Sequence, residues 1–206
     1  MRNESILISK EIISEEINNI KKQYEELEEL FTKNEIPECK QINTSIDHLK
    51  KIKYDKLYPD LISENPWLGK YCGKTLYIFS VNNFPFNKDE LKNIFDEIKN
   101  EKQVSLCRIN ETSPEWKNVQ SNKTVCLYVG SSNDIRQRLK EHLFLCNSNT
   151  YAMHLEKWFK TELTITIHTW GFNDFLNGEN NANHLQIIED ILWNHYKPIL
   201  GKQGKK

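Results

Sequence analysis

The chain has 206 residues, 38% hydrophobic, 28% charged and 11% aromatic, with a formal net charge of -1. This length and aromatic content exclude a disordered chain and leave room for a buried core. No apolar run approaches the roughly 20 residues of a membrane helix, and five scattered cysteines without a C-x-x-C pair exclude a disulfide framework or a cysteine zinc site.

The expected compartment is therefore a reducing cytoplasm, and the N-terminus lacks the long apolar core of a signal peptide. Near-neutral charge does not advertise a nucleic-acid binder, but the charge is uneven. Residues 1–31 hold eight acidic and four basic side chains, whereas the last ten residues hold Lys197, Lys202, Lys205 and Lys206 and no acid. A basic tail of this kind is either a solvated end or a source of phosphate contacts.

In chain order, Ile13, Ile17, Ile20, Tyr24, Leu27 and Phe31 alternate steps of four and three, which predicts a helix over 10–31 with a heptad seam. Ser9 suits its N-cap. Two partners fit the seam: the body of the chain itself, or a second copy. Asn34 to Pro37 breaks the helix. Thr44 and Asp47 are spaced like a capping box and predict a second helix to about Tyr58. Pro59 and Pro66 then punctuate a loop holding Trp67. Residues 1–72 are thus expected to be a helical N-terminal region.

From Lys74 the texture changes. Thr75 to Val81 reads as a central strand. Asn87 and Glu90 open a helix to about Asn100, with Leu91, Ile94, Phe95 and Ile98 as its buried stripe. Val104 to Ile109 is a candidate short strand, followed by a loop around Pro114 and Trp116. Thr124 to Val129 is a strand leading through Gly-Ser-Ser-Asn into a helix that reaches about Cys146. Thr161 to Thr169 alternates like a strand. An Asn- and Gly-rich loop follows, then a helix from His184 to Tyr196 stopped by Pro198. The pattern is α+β.

Within the helix after Val129, Asp134, Arg138 and His142 stand at i, i+4 and i+8 and share a stripe. Ile135, Leu139, Leu143 and Cys146 form the neighbouring apolar seam, so Arg138 and His142 lie at the edge of the buried face. Tyr128 ends the preceding strand, and strand alternation brings Tyr77 beside it. Glu189 sits among Ile187, Ile188, Ile191 and Leu192, a costly place for a carboxylate unless something charged meets it. Taken singly, each residue has an ordinary structural reading. Taken jointly, they point to a site.

These residues resemble the GIY-YIG nuclease family. Tyr128-Val129-Gly130 is similar to the second motif of that family, with Arg138 ten residues and His142 fourteen residues after the tyrosine. Thr75-Leu76-Tyr77 stands for the first motif, with the tyrosine kept and the glycine lost. Glu189, followed by Ile191-Leu192 and later Pro198, matches the metal-binding glutamate on a late helix. The resemblance covers roughly residues 74–201. Two departures stand out. The tyrosines are 51 residues apart (128 − 77), which implies an insertion at about 82–123. Gly201 also stands where the family has an asparagine, leaving Gln203 as a stand-in for the missing amide.

The resemblance implies a small antiparallel three-stranded sheet flanked by helices, forming a catalytic domain over 73–206. It also implies a divalent-metal-dependent endonuclease of double-stranded DNA, most simply a restriction-type enzyme. The alternatives are a repair or mobile-element nuclease, or a DNA-binding module whose catalysis has lapsed. Glu189 would hold Mg²⁺ or Mn²⁺. Arg138 would stabilise charge on the phosphate. Tyr77 would act as general base on the attacking water, or relay its proton, and His142 would accept the proton of the tyrosine. Tyr128 would position the water or phosphate. Gly130 would let the backbone approach a phosphate at the helix start. An insertion in the hairpin is a natural place for added substrate contacts. Cutting both strands with one centre per chain calls for two chains or two binding events, so a homodimer is one expectation, with the seam at 13–31 as its candidate element.

Overall fold

A computed structural model describes residues 10–45, 47–48, 63–69, 73–102, 104–119, 123–144, 149–159, 163–176 and 181–204. The architecture is α+β: a four-stranded antiparallel sheet with, among the described residues, five helices. The strands are β1 (Lys40–Ser45), β2 (Thr75–Asn82), β3 (Thr124–Ser132) and β4 (Thr164–Gly171), in the spatial order β1-β4-β2-β3. The helices are α1 (Lys10–Lys33), α2 (Lys88–Lys102), α3 (Ile135–Leu143), the single turn α4 (Leu155–Trp158) and α5 (Asn181–Tyr196).

The sheet has four strands rather than the expected three, because β1 comes from the N-terminal region. Its residues pair with β4 from Lys40↔Thr169 to Ser45↔Thr164. The helix expected to start at Thr44 does not start there. Thr44 is buried in β1, and Ser45 instead caps the helical residues 47–48 that follow, its hydroxyl accepting from the His48 N–H at 3.1 Å. Ile42 and Thr44, two apart, supply the alternation that a buried strand face needs. The remainder of that expected helix, 49–58, lies outside the described residues.

β2 is the inner strand whose near-continuous burial, from Thr75 to Val81, matches its apolar composition. One face carries Tyr77, Phe79 and Val81 against α2, α3, Phe84, Trp158 and Phe159; the other carries Leu76 and Ile78 toward α5 and the C-terminal turns of α1. Asn87 opens α2 as expected. Its side chain accepts from the N–H groups of Asp89 and Glu90, and Glu90 reaches back to the Asn87 N–H at 2.8 Å. α3 is capped by Asp134, whose carboxylate accepts from Gln137 N–H at 3.1 Å. It ends at Leu143, before the expected limit at Cys146, which is itself outside the described residues.

The segment between β2 and β3 carries α2, and the expected short strand from Val104 to Ile109 is not formed. Leu106 makes an isolated parallel bridge to Ala152, and Ile109 an isolated antiparallel bridge to Leu200. β3 would be the open edge of the sheet. Its carbonyls at Cys126 and Leu127 are met instead by the N–H groups of Ile199 and Leu200 at 3.1 and 2.9 Å. The insertion, the loop before α4 and the C-terminal segment are thereby tied together along that edge.

Candidate active site

The pairing of β2 with β3 sets the two phenols. Tyr77 lies opposite Gly130, and Phe79 opposite Tyr128, so the tyrosines are diagonal neighbours on one face. Just beyond, Ser80 pairs with Cys126, leaving Leu127 as a one-residue bulge. The bulge puts Tyr128 and Val125, an odd number of residues apart, on the same face of the sheet. The two tyrosine rings are parallel within 7°, with centroids 6.2 Å apart.

Gly130 makes this arrangement possible. A Cβ there would come within 2.6 Å of the Tyr77 hydroxyl oxygen and 2.7 Å of the Tyr128 ring. Its role therefore differs from the expected one. Gly130 lies inside β3, several residues before α3 begins, and clears space for the phenols rather than for a phosphate at a helix start.

Arg138 reaches both phenols from α3. Its Nε donates to Tyr77 Oη at 3.2 Å and its Nη2 to Tyr128 Oη at 3.4 Å. Nη2 also donates to the Tyr151 carbonyl at 3.0 Å, and Nη1 to Glu141 Oε2 at 2.8 Å. Burial works against its charge, but the phenols and Glu141 outweigh it, and the guanidinium pKa is raised above its ordinary value. The fork is thus held in one orientation by four partners.

His142 is fully buried one turn further along α3. The Met153 N–H donates to its Nδ1 at 3.3 Å, so the ring proton sits on Nε2. Nε2 then donates to Tyr77 Oη at 3.2 Å. Burial, with Arg138 and His154 adding to it, holds the His142 pKa well below the usual imidazole range, so the ring is neutral. This reverses the expected direction of the contact: His142 gives a hydrogen bond to Tyr77 and is not placed to take its proton. The Tyr77 oxygen receives two donors, an arrangement that favours a phenolate. Burial opposes it and leaves the Tyr77 pKa well above the usual phenol value, with the nearby Tyr128 pushing the same way. Tyr77 is 1% exposed.

Glu189 enters from α5. Its Oε2 accepts from the Ser131 hydroxyl at 2.5 Å. Burial raises its pKa, opposed by the Ser131 hydrogen bond and reinforced by the neighbouring Asp190. Asp190 faces elsewhere, its Oδ1 accepting from Gln186 Nε2 and the Gly204 N–H, both at 3.2 Å. No cation among the described residues pairs with Glu189 within 4 Å.

These side chains meet at a cleft of about 340 Å³ lined by Tyr128, Arg138 and Glu189 together with Cys107, Arg108, Tyr151, Gly201, Lys202 and Gly204. Tyr77 and His142 stand behind Tyr128 and Arg138 rather than in the lining. Gly201 has φ +96°, a conformation that suits glycine, and a Cβ there would meet the Tyr128 ring at 3.0 Å. An asparagine at this position would be strained. Gln203 is exposed and outside the lining, so it does not replace the amide; the segment contributes Lys202 instead.

Among the described residues no group of three His, Cys, Asp or Glu side chains could hold a metal ion. The donor set fits a cation that keeps most of its waters, as Mg²⁺ does: one carboxylate without an ion-pair partner, beside a cleft with room for hydration. Sequence reading missed Ser131, Glu141, Arg108 and Tyr151, and reached Lys202 only as one lysine of a basic tail. Glu141 was within reach of a helix-spacing argument, being three residues from Arg138. Arg108 and Tyr151 carried no local signal, because only tertiary contacts bring them to the cleft. His168, with Nδ1 3.7 Å from Cys39 Sγ, and His184, with Nε2 3.4 Å from Glu26, lie outside it. Among the described residues no helix is long and apolar enough to cross a membrane. No protein-family model, curated protein or solved structure matches the chain.

Proposed function

We propose that the protein is a divalent-metal-dependent endonuclease of double-stranded DNA, with its centre in this cleft and a GIY-YIG-like arrangement of residues. The observation that carries this reading is the single Arg138 fork, bonded to the hydroxyls of both Tyr77 and Tyr128, sharing a cleft with the Glu189 carboxylate. The groups come from β2, β3, α3 and α5, and a purely structural role for each would not require them to converge.

In this reading the scissile phosphate lies against Arg138, whose charge is fixed before substrate arrives and stabilises the pentavalent transition state. Glu189 would hold Mg²⁺ or Mn²⁺, which when bound offsets charge on the phosphate and on the leaving 3′ oxygen. Tyr128, in the cleft lining, is the phenol that meets the attacking water. Tyr77 acts through Arg138: with His142 it fixes the guanidinium plane and the local hydrogen-bond order. The general-base role that the family resemblance implies for Tyr77 passes to Tyr128, because a phenol at 1% exposure has no path to water in the cleft.

Cutting both strands requires two such centres, or two binding events by one. A second copy of the chain supplies the other through α1, whose Ile13, Ile17, Ile20 and Tyr24 are 36–49% exposed while Leu27 and Phe31 anchor the helix to the body. In a parallel pair, Glu16 of one copy and Lys21 of the other flank the seam with opposite charge. A restriction-type enzyme fits this economy best.

Plasmid DNA incubated with the protein tests the reading. Discrete linear fragments with Mg²⁺ and none with EDTA are expected. Retained binding with no cutting in any divalent metal would replace it with the binding-module alternative.

A further inference from the structure

The cleft has two cations that the proposed chemistry does not use. Arg108 and Lys202 are exposed and line the same cleft as Arg138, and neither has an acidic partner within 4 Å among the described residues. Arg138, by contrast, is paired with Glu141. The two free cations come from segments far apart in sequence, the hairpin insertion and the C-terminal segment. They are locked together by backbone: the Gly201 N–H donates to the Arg108 carbonyl at 2.8 Å, and Leu200 bridges Ile109. A third tie holds the insertion to the segment before α4, where the Cys107 N–H donates to the Ala152 carbonyl at 3.0 Å next to Tyr151.

A wall that is rigid in its backbone and carries two unpaired positive side chains beside an anion-stabilising arginine is built for more than one negative charge. One phosphate in the cleft is already met by Arg138. Consecutive phosphates of a polynucleotide strand supply the remaining charges at a repeat that a wall of this kind can follow. We infer that Arg108 and Lys202 form a phosphate clamp that grips the backbone on either side of the scissile phosphodiester. The substrate class is then a polynucleotide strand with phosphates flanking the cut, and a single phosphodiester of small size would engage Arg138 alone. This inference rests on the nuclease reading and deepens it. The residues contribute to binding and register and not to the bond-breaking step.

The test uses the full chain and three variants: R108Q/K202Q, the charge reversal R108E/K202E, and K99Q at an exposed position on α2 as a control. Binding of a 30-base-pair mixed-sequence duplex is followed by fluorescence anisotropy in EDTA across a salt series, and Mg²⁺-dependent cutting of plasmid is followed at rising DNA concentration. Every phosphate that the protein no longer neutralises lowers the slope of log affinity against log salt by about 0.9, so R108Q/K202Q is expected to lose nearly two units of slope. Its KM should rise at least about tenfold, with kcat within about twofold of the parent, because only uniform binding is removed. R108E/K202E should bind more weakly still, and K99Q should match the parent. A parent that cuts, combined with a double variant keeping its slope and KM, overturns the clamp alone. A parent that neither binds nor cuts the duplex overturns the nuclease reading and the clamp with it.

Discussion

Gly130 and Tyr77 face each other across β2 and β3, and the phenol oxygen occupies the space where a side chain at position 130 would begin, 2.6 Å from the missing Cβ. Gly130→Ala should therefore push both tyrosines off their contacts with Arg138. Overpacking of this kind costs about 1–3 kcal/mol, readable by urea denaturation, and cutting should fall with it. Adding Tyr77→Phe removes the nearest clashing atom, so the double variant should be more stable than the sum of the two single changes. Simple additivity would show that the two residues do not share this space.

Arg138 donates to four acceptors, and a lysine keeps its charge but not its fork. Arg138→Lys should lower kcat by about 10²-fold or more, the loss typical of removing an oriented donor to transition-state charge. Its circular dichroism should match the parent. Near-normal cutting in this variant would mean that the phosphate lies elsewhere.

Glu189 has a pKa raised by burial, so the folded chain holds its proton more tightly than the unfolded one. Its charge therefore destabilises the fold progressively as pH rises above the unfolded carboxylate value of about 4.3. Glu189→Gln should abolish metal-dependent cutting yet raise stability at pH 7, and the gain should fade as pH falls below about 4. The amide can still accept from Ser131. Chemical denaturation at pH 7 and pH 4 checks the sign; a variant less stable than the parent at pH 7 would contradict it.

His142 has the opposite linkage. Its folded pKa lies well below the unfolded value of about 6.5, so the unfolded chain takes up the proton first. Stability from this residue is full above about pH 6.5 and is lost as pH falls toward the folded value. His142→Gln, which keeps a donor for Tyr77 without a titrating ring, should shrink the stability difference between pH 7 and pH 5. An unchanged difference would assign that pH dependence to other groups.

The two phenols should separate kinetically. Tyr128→Phe is expected to lower kcat by about 10²-fold through the loss of a group at the attacking water. Tyr77→Phe should cost less in kcat. It should cost more in stability, about 1–3 kcal/mol, because it strands the buried donor of His142. The reverse ranking in kcat would return the base role to Tyr77.

At the N-terminus, Ile17→Glu with Ile20→Glu should convert a dimer into a monomer in sedimentation equilibrium while leaving Leu27 and Phe31 packed. A parent chain that sediments as a monomer at micromolar concentration would remove the second copy from the proposal.

How much of this was legible in the chain follows from how local each signal was. The cap at Asn87, the heptad steps of α1 and the alternation of β4 are written within a few residues, and each predicted its element; Asp134, read as part of a helix stripe, is instead the N-cap of α3. The strand at 40–45 was misread because Thr44 and Asp47 carry a capping pattern, whereas Ile42 and Thr44 gain their burial only from pairing with Ile167 and Ile165 across 120 or more residues of chain. A strand edge has no meaning until its partner is placed, and propensity at that length is too weak to decide. The sequence by itself determined which side chains were candidates for the site. The tertiary structure alone decided that Tyr77 lies behind Arg138, that His142 donates rather than accepts, and that Arg108, Tyr151 and Lys202 share the cleft with Glu189. Hydrogen-bond direction, burial and the meeting of distant segments depend on the packing of the whole chain, and no spacing along it encodes them.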